Sequence, residues 1–250
     1  MPNIADFLTL PDRRLAYQRL RGRTNGPGLV FLGGYASDMT GTKASYLAER
    51  CAEAGIAYLR FDYRGTGQSP GNFREGTIGG WFEDACAAFD QLTEGPQVVI
   101  GSSMGGWLGL MLAHVRPNRL KAFIGIAAAP DFTEELIWAK LSPAQRTELE
   151  KNGEMHDPTA PPEVQVPITF KLIKEARQHL LLHQPIDITC PVHLLQGIRD
   201  EEVPANYAIR IAERILHNNV RITYIKDGDH RLSKPQDLAL LWNIIEQQLS

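Results

Sequence analysis

An α/β architecture, with a mostly parallel central sheet flanked by helices, is what this sequence predicts. Three observations carry that prediction. Short apolar runs alternate with segments of helical period along most of the chain, as repeated βαβ units require. Glycine, proline and asparagine punctuate the boundaries between them. And 250 residues at 43% hydrophobic content suffice to bury one full core, so a single domain over residues 1–250 is expected.

In order, DFLTLPDRRLAYQRLRG reads as an antiparallel hairpin at the N-terminal edge, because two alternating runs flank a Pro-Asp turn. The turn TNGPG leads to the apolar strand Leu29–Gly34, followed by a helix over Lys43–Ala54 that ends at Gly55. Strand Ile56–Tyr63, helix Thr77–Leu92, strand VVIGS, helix Met104–Val115 and strand LKAFIGIA continue the alternation. Residues Asp131 to Pro185 break it, with short helical pieces, the Pro-rich TAPPEVQVP and no convincing strand, and so read as a small inserted helical cap. The alternation resumes at PVHLLQGIRD, then helix Ala205–Leu216, strand VRITYIK and a last helix from about Pro235 to Leu249.

Composition excludes several classes of function. A formal charge of −3, with 26 Lys and Arg scattered along the chain, offers no basic footprint for nucleic acid or an anionic membrane. Three widely spaced cysteines among apolar neighbours suggest buried thiols of a reducing compartment, neither a disulfide frame nor a zinc site. The N-terminal residues lack a basic, then apolar, leader pattern, and no run of some 18 apolar residues occurs, so a cytoplasmic protein without stable membrane insertion is expected.

The most informative stretch is VVIGSSMGGWLGL. Gly101-Ser102-Ser103-Met104-Gly105 matches G-x-S-x-G between an apolar strand and a helix, which makes Ser103 the central serine. A sharp strand-to-helix turn would strain its backbone and expose its hydroxyl above the sheet, and the flanking glycines remove side chains that would collide there. The following helix would aim free N–H groups at the same point, so the Met104 amide becomes a candidate donor to a developing oxyanion.

A serine nucleophile needs a base and a group to orient that base, and in this architecture they follow in the order Ser, Asp, His. Asp200, in GIRDEEVP, lies beyond a strand's carboxyl end, where sites of open α/β sheets gather. His230, in DGDHRLS, occupies the corresponding loop after the last strand. Asp62 also follows a strand and is the alternative acid, but the adjacent Arg64 offers it a structural ion pair, so Asp200 is preferred.

Other signals have plainer readings. FDYRGTGQS lacks both the complete G-x-G-x-x-G pattern and the Lys-Ser/Thr of a phosphate loop, and predicts a tight turn at Gly65 and Gly67. His179 and His183 share helical spacing with Glu175, yet the H-E-x-x-H arrangement is missing, so no metal site and no cofactor are expected. His114, His156, His193 and His217 are assigned packing or solvated roles. Trp107 is assigned to the core rather than to a substrate wall.

On these motifs the chain resembles the α/β-hydrolases over nearly its whole length. More narrowly it is similar to the group that includes the mitochondrial acyl-glucuronide esterase and S-depalmitoylase, through GYASDMTGTKA, RFDYRGTGQSPG, TIGGW, GSSMGGW and DHRLS. That resemblance implies a metal-free serine esterase or thioesterase acting on small-molecule esters or thioesters or on S-acylated proteins, with Ser103 as nucleophile, Asp200 as acid and His230 as base. It also assigns a second oxyanion amide to Tyr35. Many members carry His-Gly before that position; here Gly33 and Gly34 stand there. The same triad can cleave amides or carbon–carbon bonds, and such folds also persist as non-catalytic binding modules.

Overall fold

A computed structural model describes residues 5–23, 26–156 and 166–249. The turn residues 24 and 25 and most of TAPPEVQVP lie outside the described residues. The main sheet has eight strands, and each forms where an apolar or alternating run meets a turn signal. β1 (Asp6–Thr9) and β2 (Arg14–Leu20) make the antiparallel hairpin, in register Phe7 to Ala16 and Leu8 to Leu15. β3 (Gly28–Leu32), β4 (Tyr58–Phe61), β5 (Gln97–Ser102) and β6 (Leu120–Ile126) follow. β7 (Glu154–His156) and β8 (Pro167–Thr169) form a separate antiparallel pair, and β9 (Val192–Gly197) and β10 (Val220–Ile225) complete the main sheet in the order β1-β2-β4-β3-β5-β6-β9-β10. From β4 to β10 every pairing is parallel; β2 joins β4 antiparallel. This is the α/β-hydrolase fold.

Helices α1 (Thr42–Ala54) and α7 (Pro235–Leu249) cover one face, where Leu47, Trp242 and Ile245 pack on Ile100, Ile124 and Leu195. α2 (Ile78–Leu92) and α3 (Met104–Val115) cover the other, with Trp81, Phe89 and Trp107 fully buried. Local chemistry sets their ends. Gly55, at φ 70°, closes α1 in the left-handed region, and the Thr77 hydroxyl caps α2 by accepting from the Gly80 amide at 3.1 Å. α3 is buried all round from Met104 to Ala113, so its sequence is apolar on every face rather than amphipathic.

Between β6 and β9 the chain forms an irregular helical turn over Thr133–Lys140, α4 (Pro143–Asn152), the β7–β8 pair and α5 (Phe170–Ala176). Two expectations need correction. A strand pair exists where none was expected; three residues per strand are too few to show an alternation. The helix expected to reach Leu216 is α6 (Asn206–Arg214), because Ile215 turns extended and bridges Ile186.

Candidate active site

The site forms at the carboxyl ends of β5, β9 and β10. β5 runs directly into α3 through Ser103, whose φ of 55° and ψ of −118° are a strained conformation for a residue with a side chain. Its neighbours hold it there: the Ser103 amide donates to the Ile126 carbonyl at 2.9 Å, and its carbonyl accepts from Gly106 and Ala129 at 2.8 and 3.1 Å. The flanking glycines are dictated by backbone contact. A Cβ on Gly101 would lie 2.2 Å from the Gly105 carbonyl oxygen, and one on Gly105 would lie 2.1 Å from that of Leu32.

β9 and β10 pair in register from Val192–Val220 to Gly197–Ile225, so the loops that follow them leave the sheet side by side. The Arg199 amide donates to the Gly228 carbonyl at 3.0 Å, locking one loop to the other. That juxtaposition brings Ser103, His230 and Asp200 into one hydrogen-bonded chain. His230 Nε2 is 3.1 Å from Ser103 Oγ, and His230 Nδ1 is 2.9 Å from Asp200 Oδ2. Asp200, whose side chain is fully buried, also accepts from the Val203 and Glu202 amides at 2.8 and 3.0 Å and from Gln196 Nε2 at 3.1 Å. Burial by itself would raise its pKa; the His230 hydrogen bond and the Val203 and Glu202 amides outweigh burial and hold the carboxyl below its ordinary value. An imidazole anchored this way at Nδ1 presents Nε2 to the serine as a proton acceptor.

The two candidate oxyanion amides belong to Met104, next in the chain to the serine, and to Tyr35, next to Gly34. Met104 is the first residue of α3, so its N–H has no acceptor within the helix. Gly34, the residue before Tyr35, packs against Ser103, a Cβ there falling 3.4 Å from the serine's own. The Tyr35 ring leaves the site for a cluster with Phe73, Trp81 and Phe132, at centroid distances of 5.1 to 5.8 Å.

Asp62 does not reach this group, and its expected ion pair with Arg64 is not formed. Arg64 instead grips Asp84 on α2 with Nε and Nη2, the latter at 2.8 Å, while Asp62 accepts the Met39 and Gln68 amides at 2.7 and 2.8 Å. Asp62 thus braces the turn at Gly65 and Gly67, both at positive φ. Burial, only partly offset by the Gln68 and Met39 amides, raises the Asp62 pKa. Trp107 is buried and donates Nε1 to the His179 carbonyl at 3.0 Å, pinning the segment before β9 to the body. Glu175 and His179 do pair, at 2.7 Å, but the same carboxylate accepts the Gly79 amide at the start of α2. His183 lies elsewhere, near Asp131 and Glu135. Those carboxylates are already engaged, Asp131 by the Leu181 and Leu182 amides and Glu135 by Arg210 and Tyr207. His193 meets Thr223 Oγ1 at 2.8 Å across β9 and β10. Sequence reasoning missed Gln196, Glu202 and the Tyr35 hydroxyl, which donates to the Pro167 carbonyl at 2.6 Å. Gln196 carried a signal, being an amide near the carboxyl end of the strand that leads into the Asp200 loop.

The family model Hydrolase_4, described as "Serine aminopeptidase, S33", matches residues 28–164. Palmitoyl-protein thioesterase ABHD10, mitochondrial, from Mus musculus is 44% identical over 91% of this chain and 76% of its own length. The chain belongs to the α/β-hydrolase family. Among solved structures, mouse alpha/beta hydrolase domain-containing protein 10 superposes on this hydrolase with a TM-score of 0.89 at 41% identity, covering 97% of each chain. A putative hydrolase from Agrobacterium vitis S4 gives a TM-score of 0.92 at 36% identity over 98% of each. The names of the mouse, bovine and rat relatives also overturn the expected cytoplasmic location, since each reads mitochondrial. Free thiols, Cys51 and Cys190 buried and Cys86 half-buried, do not distinguish one reducing compartment from another.

Proposed function

We propose that this α/β-hydrolase cleaves acyl thioesters and carboxylic esters through an acyl-enzyme on Ser103. The observation that carries the reading is the continuous chain from Ser103 Oγ through His230 to Asp200, at 3.1 and 2.9 Å. Its relatives' name, palmitoyl-protein thioesterase, supports the bond type.

His230 Nε2 takes the serine proton as Oγ attacks the carbonyl carbon, and the carbonyl oxygen gathers negative charge between the Tyr35 and Met104 amides. His230 then gives that proton to the departing sulfur or oxygen. Water, activated by the same imidazole, attacks the acyl-enzyme and releases the acid while Ser103 regains its proton. Asp200 holds the useful tautomer throughout. Residues 131–185 act as a cap within one domain, and its half-buried apolar side chains, Leu136, Ile137 and Trp138 among them, offer the apolar surface an acyl chain needs. Specificity is set by the acyl chain, at about 0.8 kcal/mol per buried methylene, more than by the size of the leaving group.

Covalent labelling with a fluorophosphonate tests the reading. Ser103→Ala should abolish labelling and turnover, whereas Ser102→Ala should retain both; the reverse pattern, or a labelled protein that turns over no ester or thioester, overturns it. The family description names an aminopeptidase, so a matched amide belongs in the same assay, and faster cleavage of the amide would replace the thioesterase reading.

A further inference from the structure

The imidazole of His230 has a carboxylate on each side. Asp200, fully buried, holds Nδ1, while Glu202 Oε2 stands 3.6 Å from Nε2, the nitrogen that faces Ser103. Glu202 is held by its backbone, the amide donating to Asp200 Oδ1 at 3.0 Å, but its side chain is 70% exposed, so it stands at the solvent mouth of the site. Among the described residues, no ion pair other than that with His230 forms at Glu202. Two nearby cations are committed elsewhere. Arg199 pairs with Asp227 at 3.2 Å, and the Lys43 ammonium donates to the Arg231 carbonyl on the side of the His230 loop facing α1.

Proton delivery fixes where a leaving group must pass. The departing atom has to come within hydrogen-bond distance of Nε2, roughly 3 Å, and so within about 7 Å of the Glu202 carboxylate. We infer that Glu202 makes the site selective for the charge of the leaving group, favouring thiols or alcohols borne on cationic groups, such as an S-acyl cysteine among lysines and arginines, over anionic ones. This rests on the hydrolase reading above and narrows it: the site tolerates leaving groups of different size but not of either charge. At such separations in a mostly aqueous setting, cationic and anionic leaving groups should differ by about threefold to tenfold in kcat/KM, and salt should diminish the difference.

The test uses thioesters of one acyl chain with thiocholine, 2-mercaptoethanol and thioglycolate, with each compared between the intact enzyme and Glu202→Gln. Comparing ratios between the two proteins removes the intrinsic difference in leaving ability. The thiocholine-to-thioglycolate ratio should fall about threefold to tenfold in Glu202→Gln at low salt, and the two proteins should converge at about 0.5 M salt. An unchanged or increased ratio overturns the charge selection. If the neutral mercaptoethanol ester shows no Ser103-dependent turnover, the hydrolase reading itself fails; Ser103-dependent turnover with an unchanged ratio sinks only the role of Glu202.

Discussion

Tyr35 and Pro167 are joined by a hydrogen bond of 2.6 Å, which ties the loop beside Ser103 to strand β8 from a part of the chain 132 residues away. The phenol is largely buried, and burial pushes its pKa well above the ordinary tyrosine value, so the hydroxyl remains a donor at any working pH. Tyr35→Phe keeps the ring among Phe73, Trp81 and Phe132 but leaves the Pro167 carbonyl without this donor, at a cost of about 1–2 kcal/mol. Because the proposed oxyanion amide belongs to the same residue, kcat should drop about fivefold, a loss of roughly 1 kcal/mol in the transition state. Denaturant unfolding and steady-state kinetics read the two effects separately. A Tyr35→Phe enzyme with unaltered kcat would show that the bond serves only to hold β8.

Replacing Gly105 by alanine should be far more damaging than its single methyl suggests. The new Cβ would fall 2.1 Å from the Leu32 carbonyl oxygen and 2.6 Å from that of Gly33, and backbone at the centre of a sheet has nowhere to move. A loss of about 3 kcal/mol or more in unfolding free energy is expected. Gly153→Ala is the control: its Cβ meets open space and pays only for φ 79°, about 1 kcal/mol. Equal stability of the two variants would contradict the packing around the Ser103 turn.

Much of this arrangement was legible beforehand, and what was missed has physical causes. Glycines at 101 and 105 announced the strand-to-helix turn, because only a residue without a side chain fits where two backbones come so close. Asp200 and His230 were found from their positions after strands, which local patterning marks. The pairing of Arg64 with Asp84 instead of Asp62 was not legible, since it depends on how α2 lies across the sheet. For the same reason the end of α6 was misplaced: Ile215 leaves the helix to bridge Ile186, a partner supplied by a distant loop.

Asp200 and Asp62 should respond differently to the same substitution. Asp200→Asn keeps its one oxygen for the Glu202 and Val203 amides and turns an NH2 donor toward His230 Nδ1, which imposes the wrong tautomer and should lower kcat by about 10³- to 10⁴-fold. Asp62→Asn should instead weaken the fold by about 1–2 kcal/mol, because one amide oxygen cannot replace both carboxylate oxygens that receive Met39 and Gln68. A sign follows for Asp200 as well. Its folded pKa lies below the ordinary value, so its stabilisation is complete above about pH 4 and fades as pH falls through the folded value. The stability gap between the intact protein and Asp200→Asn should therefore narrow on acidification. A severe kinetic defect in Asp62→Asn with a mild one in Asp200→Asn would transfer the acid role to Asp62.

Lys43 gives the site an alkaline dependence that neither Ser103 nor Asp200 provides. Its ammonium, on the first turn of α1, donates to the carbonyl of Arg231, the residue next to His230, and so braces the loop in which Leu232 sits at φ 44°. Burial lowers its pKa to about 8, Asp229 and Asp237 acting against that shift and Arg231 with it. With the folded pKa lowered, the unfolded chain holds more protons between about pH 8 and 10.5, so this residue adds stability as pH rises through that window. Allowing for the solvent that reaches the partly exposed side chain, the gain should be about 2 kcal/mol, and Lys43→Met should lack it. Methionine also cannot donate to Arg231, so the His230 loop loses its brace and kcat should fall several-fold even at pH 7. Lys43→Arg keeps a donor whose charge persists across the window, and should recover kcat without recovering the alkaline gain in stability. Unfolding curves that move in parallel for the intact protein and Lys43→Met from pH 7.5 to 10.5, with matching kcat, would mean that this ammonium neither carries a buried charge nor holds the histidine loop.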